Sequence, residues 1–380
     1  MEAVVLAGGK GSGMHKLTMG KSKLLIEILG KPIIEWVLTN VLNAGVRNVT
    51  LVTDRPQAFE DVTTKLGSEL SFDVRLQRKE EVLGALEEAV DKLSSKALLV
   101  YGDTLIPSSA YKLVIEAYEE SGLPTLLVIP DEDVTRYGAI YINEQGFIEK
   151  FVERPKYVET SYVFGGVAIL NRELVNSILS AGRIDEGVNS YVRSGGKIQA
   201  VIWSDWWVDI GSPVDILKAL YYVLKGLNTS RISSNAKIAS STVIEGPVII
   251  EEGAEVDHHT LIKGPAYIGR GSFIGAYSFI RPFTDVEAEA SIGSYVEVVW
   301  SLVGRKASIG RESFIGFSVV GEEAVVEPNV KTKLLIKPEV EGVKAMKVRS
   351  RRVEYLKLGS MISAKARIPS GTELLPGEER

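Results

Sequence analysis

From Ile232 onward, aliphatic residues recur at every sixth position: Ile232, Ile238, Ile244, Ile250, Val256, Ile262, Ile268, Ile274, Ile280, Val286, Ile292 and Val298. Four positions after each stands a small or β-branched residue, from Ala236, Thr242 and Val248 through Ser272, Ser278 and Thr284 to Val296, with Leu302 the larger exception. Antiparallel hairpins vary in strand length and do not hold one residue class at two offsets over so many repeats. A parallel β-helix does. Three hexads close one triangular coil, an aliphatic side chain points inward on each flat face, and a small residue fits near each corner. After a one-residue slip near Val303 the pattern resumes at Ile309 and Ile315, leaves at about 321–358, and returns at Ile362, Ile368 and Leu374. The excursion and the last hexads are expected to cap or flank the end of the solenoid, where an open coil would present unpaired strands.

Residues 1–226 follow a different period. Apolar strands alternate with helical patterns, the mark of a layered α/β domain with a Rossmann-like, mostly parallel sheet covered on both faces. Strands are predicted at "AVVLAG", "VTLVTD", "ALLVYGD", "TLLVIP", "GAIYI", "GGVAIL" and "WWVDIG", and helices at 32–44, 108–121, 171–180 and 213–226. Pro32 and Pro213 stand where a helix start tolerates proline. A length of 380 residues suits two domains, 1–226 and 227–380, the second a β-helix of hexapeptide repeats.

Composition narrows the chemistry. The chain has no cysteine, so disulfides, thiolate metal sites and a catalytic thiol are excluded, and its three histidines are His15, His258 and His259. A formal net charge of -5 gives no support to nucleic-acid or membrane partners, which leaves a small molecule. No run has the length of a membrane helix, and the N-terminus enters a strand directly, so a cytoplasmic location is expected.

The first strand runs into "VVLAGGKGSG", where glycines let backbone N–H groups approach phosphate oxygens. A P-loop would place lysine after the closing glycine, but Met14 follows Gly13. The dinucleotide pattern also fails, since neither Gly9-x-Gly11 nor Gly11-x-Gly13 has a glycine three positions on. Asp103 in "LLVYGD" and Asp209 in "WWVDIGSP" are expected at the carboxyl ends of buried strands. Two carboxylates there suit a hard cation such as Mg²⁺, which keeps phosphates and waters in its other positions.

"LAGGKGSGMHKLTMGKSKLLIEILGKPIIEWVL", "GD" at 102–103, "RYGAIYINEQGFIEKFVERP" and "WVDIGSP" resemble the sugar-1-phosphate nucleotidylyltransferases, the nucleotide-sugar pyrophosphorylases. With the β-helix, the order of parts is similar to archaeal bifunctional nucleotidylyltransferase/acetyltransferases and to mannose-1-phosphate guanylyltransferases. The resemblance implies a left-handed β-helix and transfer of a nucleotidyl group from a nucleoside triphosphate to a sugar 1-phosphate, with release of pyrophosphate. It implies nucleotide contacts from Leu6, Ala7, Gly8, Gly9, Gly11, Gln77 and Gly84. Lys23 would stabilise the attacked phosphate, and Asp103 and Asp209 would hold Mg²⁺. Gly138 and Glu153 would meet the sugar, and Arg154 stands where the family has a lysine on the sugar phosphate. It also implies a homo-oligomer, or a hetero-oligomer with an active paralogue.

Several positions depart from the family pattern. Gly13 replaces a signature arginine, and Ser22 and Leu24 replace the prolines on either side of the catalytic lysine. Losing such a cation costs about 3–5 kcal/mol in the transition state, or a rate about a thousandfold lower, unless Lys10, Lys16 or Lys21 replaces it. "LGAL" at 83–86 stands for the glycine motif that frames the base, Gln77 lies farther from it than in the family, and Phe164 replaces a sugar-binding asparagine. These departures motivate a second reading, a non-catalytic regulatory subunit or sensor that binds nucleotide sugars. A third is a β-helix sugar acyltransferase. Where relatives carry the acyl-transfer histidine this chain has Arg311 and Glu312, which leaves His258 or His259 as the base and "KAMKVRSRRVEYLK" as an arm facing coenzyme A or solvent.

Overall fold

The computed structural model describes residues 1–9, 11–94, 96–334, 345–350 and 353–380. Its residues fall into two compact units, Met1–Lys10 with Ile34–Asp209, and Gly11–Ile33 with Ile210–Arg380.

The first unit is built on a nine-stranded sheet. Its strands are β1 (Glu2–Leu6), β2 (Asn48–Thr53), β3 (Ser71–Leu76), β4 (Ala97–Tyr101), β5 (Thr125–Pro130), β6 (Gly138–Ile142), β7 (Ile148–Glu153), β8 (Tyr162–Ile169) and β9 (Gln199–Ile202). The main path runs β7-β6-β8-β4-β1-β2-β3, with β5 joining β8 and β9 joining β5. Consecutive residues Val4 and Val5, and Leu98 through Val100, are buried, so the central strands are covered on both faces. The ladders joining β1, β2, β3 and β4 are parallel, as is that of β5 with β9. The sheet is nonetheless mixed. β8 runs antiparallel to β4, β5 and β6, and β7 antiparallel to β6. Apolar runs mark strands without fixing their direction, which the connections decide. Helices form at Ile33–Asn43, Ser108–Ser121 and Arg172–Ala181, close to the predicted spans. Helices at Glu60–Leu66, Glu81–Glu88 and Ile184–Arg193 are additions. The last two each enclose a glycine, which blurs the helical period.

The second unit is the β-helix, left-handed and built of three parallel seven-stranded sheets. Ile250 pairs with Ile268 and Ile268 with Val286, Val256 with Ile274, and Ile262 with Ile280, so each coil closes after three hexads. These side chains form a continuous inner core. Ile232 is 44% exposed because the first coil has no coil before it. Corner residues such as Tyr277 (φ 58°) and Tyr295 (φ 59°) adopt the left-handed region. Each donates its N–H to the preceding coil, Tyr277 to His258 O at 3.0 Å and Tyr295 to Ala276 O at 3.0 Å, which offsets the conformational cost.

Two details of the repeat differ from expectation. The slip falls before Ser301, which is fully buried and takes the small corner position in place of Leu302. A second slip follows, since Val303 pairs with Val320 as Val286 pairs with Val303, each coil one residue short of three hexads. Val326 and Thr332 therefore continue the register from Ile309 and Ile315, and residues 321–332 are a regular coil, not part of the excursion. The chain leaves the stack after Thr332, forms the antiparallel pair Met346–Ser350 with Val353–Lys357, and re-enters at Met361–Ile362. Residues 335–344, 351 and 352 of the expected excursion and arm lie outside the described residues, as does Lys10.

The helix Pro213–Lys225 belongs to this unit. Phe283, Trp300 and Phe317 stack at one corner of successive coils, with centroids 4.6 and 5.2 Å apart, and Tyr221 of the helix lies on Trp300 at 5.1 Å. Among the described residues no helix is long and apolar enough to cross a membrane.

Candidate functional site

In the first unit β1 ends at Leu6, and Ala7 N–H donates to Val52 O at 2.7 Å, which directs Gly8 and Gly9 off the carboxyl end of the sheet. Gly8 packs against Gln77 so closely that a Cβ would overlap Oε1. Gln77 Nε2 donates to Lys79 O at 2.9 Å and to Glu81 O at 2.8 Å, leaving Oε1 buried without a donor among the described residues. Gly84 is buried in its helix against the Lys79 carbonyl. The structure thus brings Gly8, Gln77 and Gly84 together through the Lys79 peptide, despite the longer spacing in sequence.

Asp103 follows β4, and Gly102 N–H donates to Leu6 O at 2.9 Å beside it. The short strand Thr104–Leu105 pairs antiparallel with Val208–Asp209, with Asp209 opposite Thr104. Asp103 and Asp209 therefore lie on adjacent chain segments. Burial, reinforced by Glu153 and then by Asp103 and Asp209, raises the Tyr101 hydroxyl well above its usual range. Tyr101 is a residue the sequence reading missed, since an aromatic at a strand end looks like core.

Glu153 ends β7 opposite Gly138, and its backbone N–H donates to Asp185 Oδ2 at 3.2 Å. Burial, opposed by Arg154 and reinforced by Asp185, raises its carboxyl above the ordinary range. Gly138 has no room for a side chain because the Phe151 ring lies against it. Arg154 sits at φ 44°, with Nε 3.7 Å from Glu153 Oε1 and a largely exposed side chain. Phe164 meets Tyr101 edge-on at 5.6 Å and Phe151 at 6.0 Å.

The second unit carries Gly11 and Lys23. Gly11, at φ 56°, opens a short 3₁₀ turn and lies beside the Lys23 side chain. Lys23 Nζ donates to Ile210 O at 2.7 Å. The loop that presents this carbonyl is fixed by Asp215, whose Oδ2 accepts from Gly211 N–H at 3.3 Å and Ser212 N–H at 2.8 Å at the start of the proline-initiated helix. A Cβ on Gly13 would lie 2.5 Å from Gly211 O. Lys21 pairs with Glu322 at 2.6 Å and Lys16 with Glu379 at 3.6 Å, so both lysines face acids of the β-helix. His258 Nδ1 lies 2.9 Å from Ser241 Oγ, and the His259 ring stacks on Tyr277 at 4.8 Å. Both histidines are exposed corner residues, and Arg311 and Glu312 are exposed as well.

Residues 2–226 match the nucleotidyl transferase family. The chain belongs to that family. This nucleotidyl transferase is 27% identical to the bifunctional sugar-1-phosphate nucleotidylyltransferase/acetyltransferase of Sulfurisphaera tokodaii, over 99% of this chain and 93% of the relative. It is 29% identical to the mannose-1-phosphate guanylyltransferase catalytic subunit beta of Drosophila melanogaster, over 86% of this chain and 89% of the relative. Its fold is similar to that of a UTP-bound UGPase from Acinetobacter baumannii, with a TM-score of 0.51 and 17% identity over 58% of this chain and 92% of that one.

Asp103 and Asp209 suit a divalent cation, because two hard carboxylate ligands on neighbouring segments leave the remaining positions to phosphate and water. Among the described residues no group of three or more acids or histidines forms an all-protein cage.

Proposed function

We propose that this nucleotidyl transferase joins a nucleoside triphosphate to a sugar 1-phosphate, giving a nucleotide sugar and pyrophosphate. The observation that carries the reading is the pairing of Val208–Asp209 with Thr104–Leu105, which sets Asp209 beside Asp103 at the end of the central sheet. An oxygen of the sugar phosphate attacks the α-phosphorus in line, the bond from that phosphorus to the bridging oxygen breaks, and pyrophosphate departs. Catalysis then consists of positioning and charge neutralisation.

Leu6, Ala7, Gly8, Gly9 and Gly11 supply backbone contacts to the nucleotide, with Gln77 and Gly84 toward the base. Lys23 neutralises the attacked phosphate. Gly138 and Glu153 contact the sugar, and Arg154 meets its phosphate as a planar fork, with geometry different from a lysine. Asp103 and Asp209 would hold Mg²⁺, which when bound withdraws charge from phosphate oxygens. Residues 1–226 form the catalytic half and 227–380 the β-helical half of a cytoplasmic homo-oligomer. His258, beside Ser241, and His259, stacked on Tyr277, are exposed corner residues to which this reading gives no acyl-transfer role.

A second reading, a sensor or regulatory subunit that binds nucleotide sugars without turnover and assembles with an active paralogue, is favoured by Gly13, whose packing against Gly211 O leaves no space for a cation on that residue. One assay separates the two. Pyrophosphate release is followed with Mg²⁺ over a panel of triphosphates and sugar 1-phosphates. Release that disappears in Lys23→Ala supports the enzyme. A protein whose melting temperature rises with nucleotide sugars, with no release for any pair, supports the sensor.

A further inference from the structure

The residues Leu29 and Gly30 join the short strands Glu27–Ile28 and Lys31–Pro32, and both have positive φ, 52° and 70°. Their successive N–H groups each meet a carboxyl of the β-helix. Leu29 N–H donates to Asp285 Oδ2 at 2.8 Å, and Gly30 N–H donates to Glu287 Oε1 at 2.9 Å. Gly30 has no room for a side chain, because the Tyr267 hydroxyl occupies that space.

Asp285, on the strand Thr284–Val286, and Glu287, just after it, flank the inward-facing Val286, so both leave the outer face of the same coil. An outer face usually means water, yet Asp285 is 0% and Glu287 1% exposed. Their second oxygens, Oδ1 and Oε2, are buried and have no hydrogen-bond partner among the described residues. The two carboxyls stand on either side of Val286 and each accepts one of two successive turn amides. Two adjacent carboxylates in a dry site cannot both ionise, so one keeps its proton. The groups facing the pair sharpen this. Glu27 comes from the first strand of the hairpin, while Tyr267 and, beyond it, Glu251 come from neighbouring coils. Glu251 is itself paired with Arg231 at 3.1 Å.

The hairpin also continues back to Lys23. Ile26 N–H donates to Lys23 O at 3.2 Å, and Ile33 N–H to Ile26 O at 3.0 Å, so residues 23–33 form one hydrogen-bonded segment. We propose that Asp285 and Glu287 are positioning residues, which hold the Leu29–Gly30 turn on the β-helix through a proton retained between them and so fix the segment carrying Lys23. When that proton leaves, two buried anions repel and the turn loosens. The structural part stands on the contacts above; the kinetic part rests on the role given to Lys23 under the proposed function.

The test is amide hydrogen exchange at Leu29 and Gly30 in the full chain, corrected for intrinsic rates, from about pH 6 to about pH 9.5, with pyrophosphate release measured alongside. Asp285→Asn supplies a permanent N–H toward Glu287 and keeps an oxygen for Leu29. Glu287→Gln is the second variant should the first fail to fold. In the wild type, protection is expected to fall by up to about tenfold for each pH unit as pH rises toward the midpoint and to level off above it, and kcat to fall over the same range while KM holds. In the amide variant both profiles flatten. Wild-type protection that does not titrate, or an amide variant that follows the wild type, overturns the proposal. If no condition yields pyrophosphate, the enzyme reading fails while the exchange data still decide the proposal; if pyrophosphate forms and protection stays flat, only the positioning role falls.

Discussion

The carbonyl oxygen of Gly211 lies 2.5 Å from the point a Cβ on Gly13 would occupy. Backbone atoms held by Asp215 cannot give way as the end of a flexible side chain would. The missing signature arginine is therefore built into the packing of this loop and is not an isolated substitution. Gly13→Arg is expected to lower stability by about 1–3 kcal/mol, seen as a lower denaturation midpoint, without raising the rate of pyrophosphate release. A faster and equally stable variant would contradict the packing argument.

Lys23 Nζ donates to the Ile210 carbonyl at 2.7 Å, and under the proposed function this ammonium meets the attacked phosphate. Lys23→Ala should reduce kcat by about a hundred- to a thousandfold, with a smaller change in KM. Steady-state kinetics on the best substrate pair decide this.

Asp209→Asn removes one of two charges from the pair beside Tyr101. The Mg²⁺ concentration for half-maximal rate should rise at least about tenfold, and chelation should abolish release in the wild type. A magnesium titration that superimposes on the wild type would remove Asp209 from the cation site.

Burial, opposed in part by the Gly30 N–H, pushes the Glu287 carboxyl from 4.5 up to about 8. The folded state therefore holds a proton that the unfolded chain releases near pH 4.5. The stabilising contribution is complete below that value, declines as pH rises toward about 8, and is absent above it. Thermal unfolding should accordingly show a melting temperature that falls across this window, and Glu287→Gln should reduce the slope.

Ile268 is fully buried between coils, whereas Ile232 on the first coil is 44% exposed. Ile268→Ala should cost about 2–5 kcal/mol and Ile232→Ala much less, by denaturant unfolding of the full chain. Equal costs would mean that the terminal coil is covered in solution.

The hexad period made the β-helix legible because inward burial is a local rule: each coil repeats the same side-chain volume at the same place. "LLVYGD" and Pro213 located a strand end and a helix start for a similar reason, since apolar runs and proline act on their own neighbours. The second slip was invisible because Thr332 is polar and Val320 falls one position early, although the coil still closes. Nothing in the hexad period singles out Asp285 and Glu287, whose carboxyls meet the Leu29–Gly30 turn, distant in sequence. The sequence by itself determined two architectures, a glycine-rich loop and a pair of strand-end carboxylates. Tertiary structure alone decided that Gly13 has no space for a side chain, that Lys23 meets Ile210, and that two acids share a dry site, because each depends on residues remote in sequence that no local period encodes.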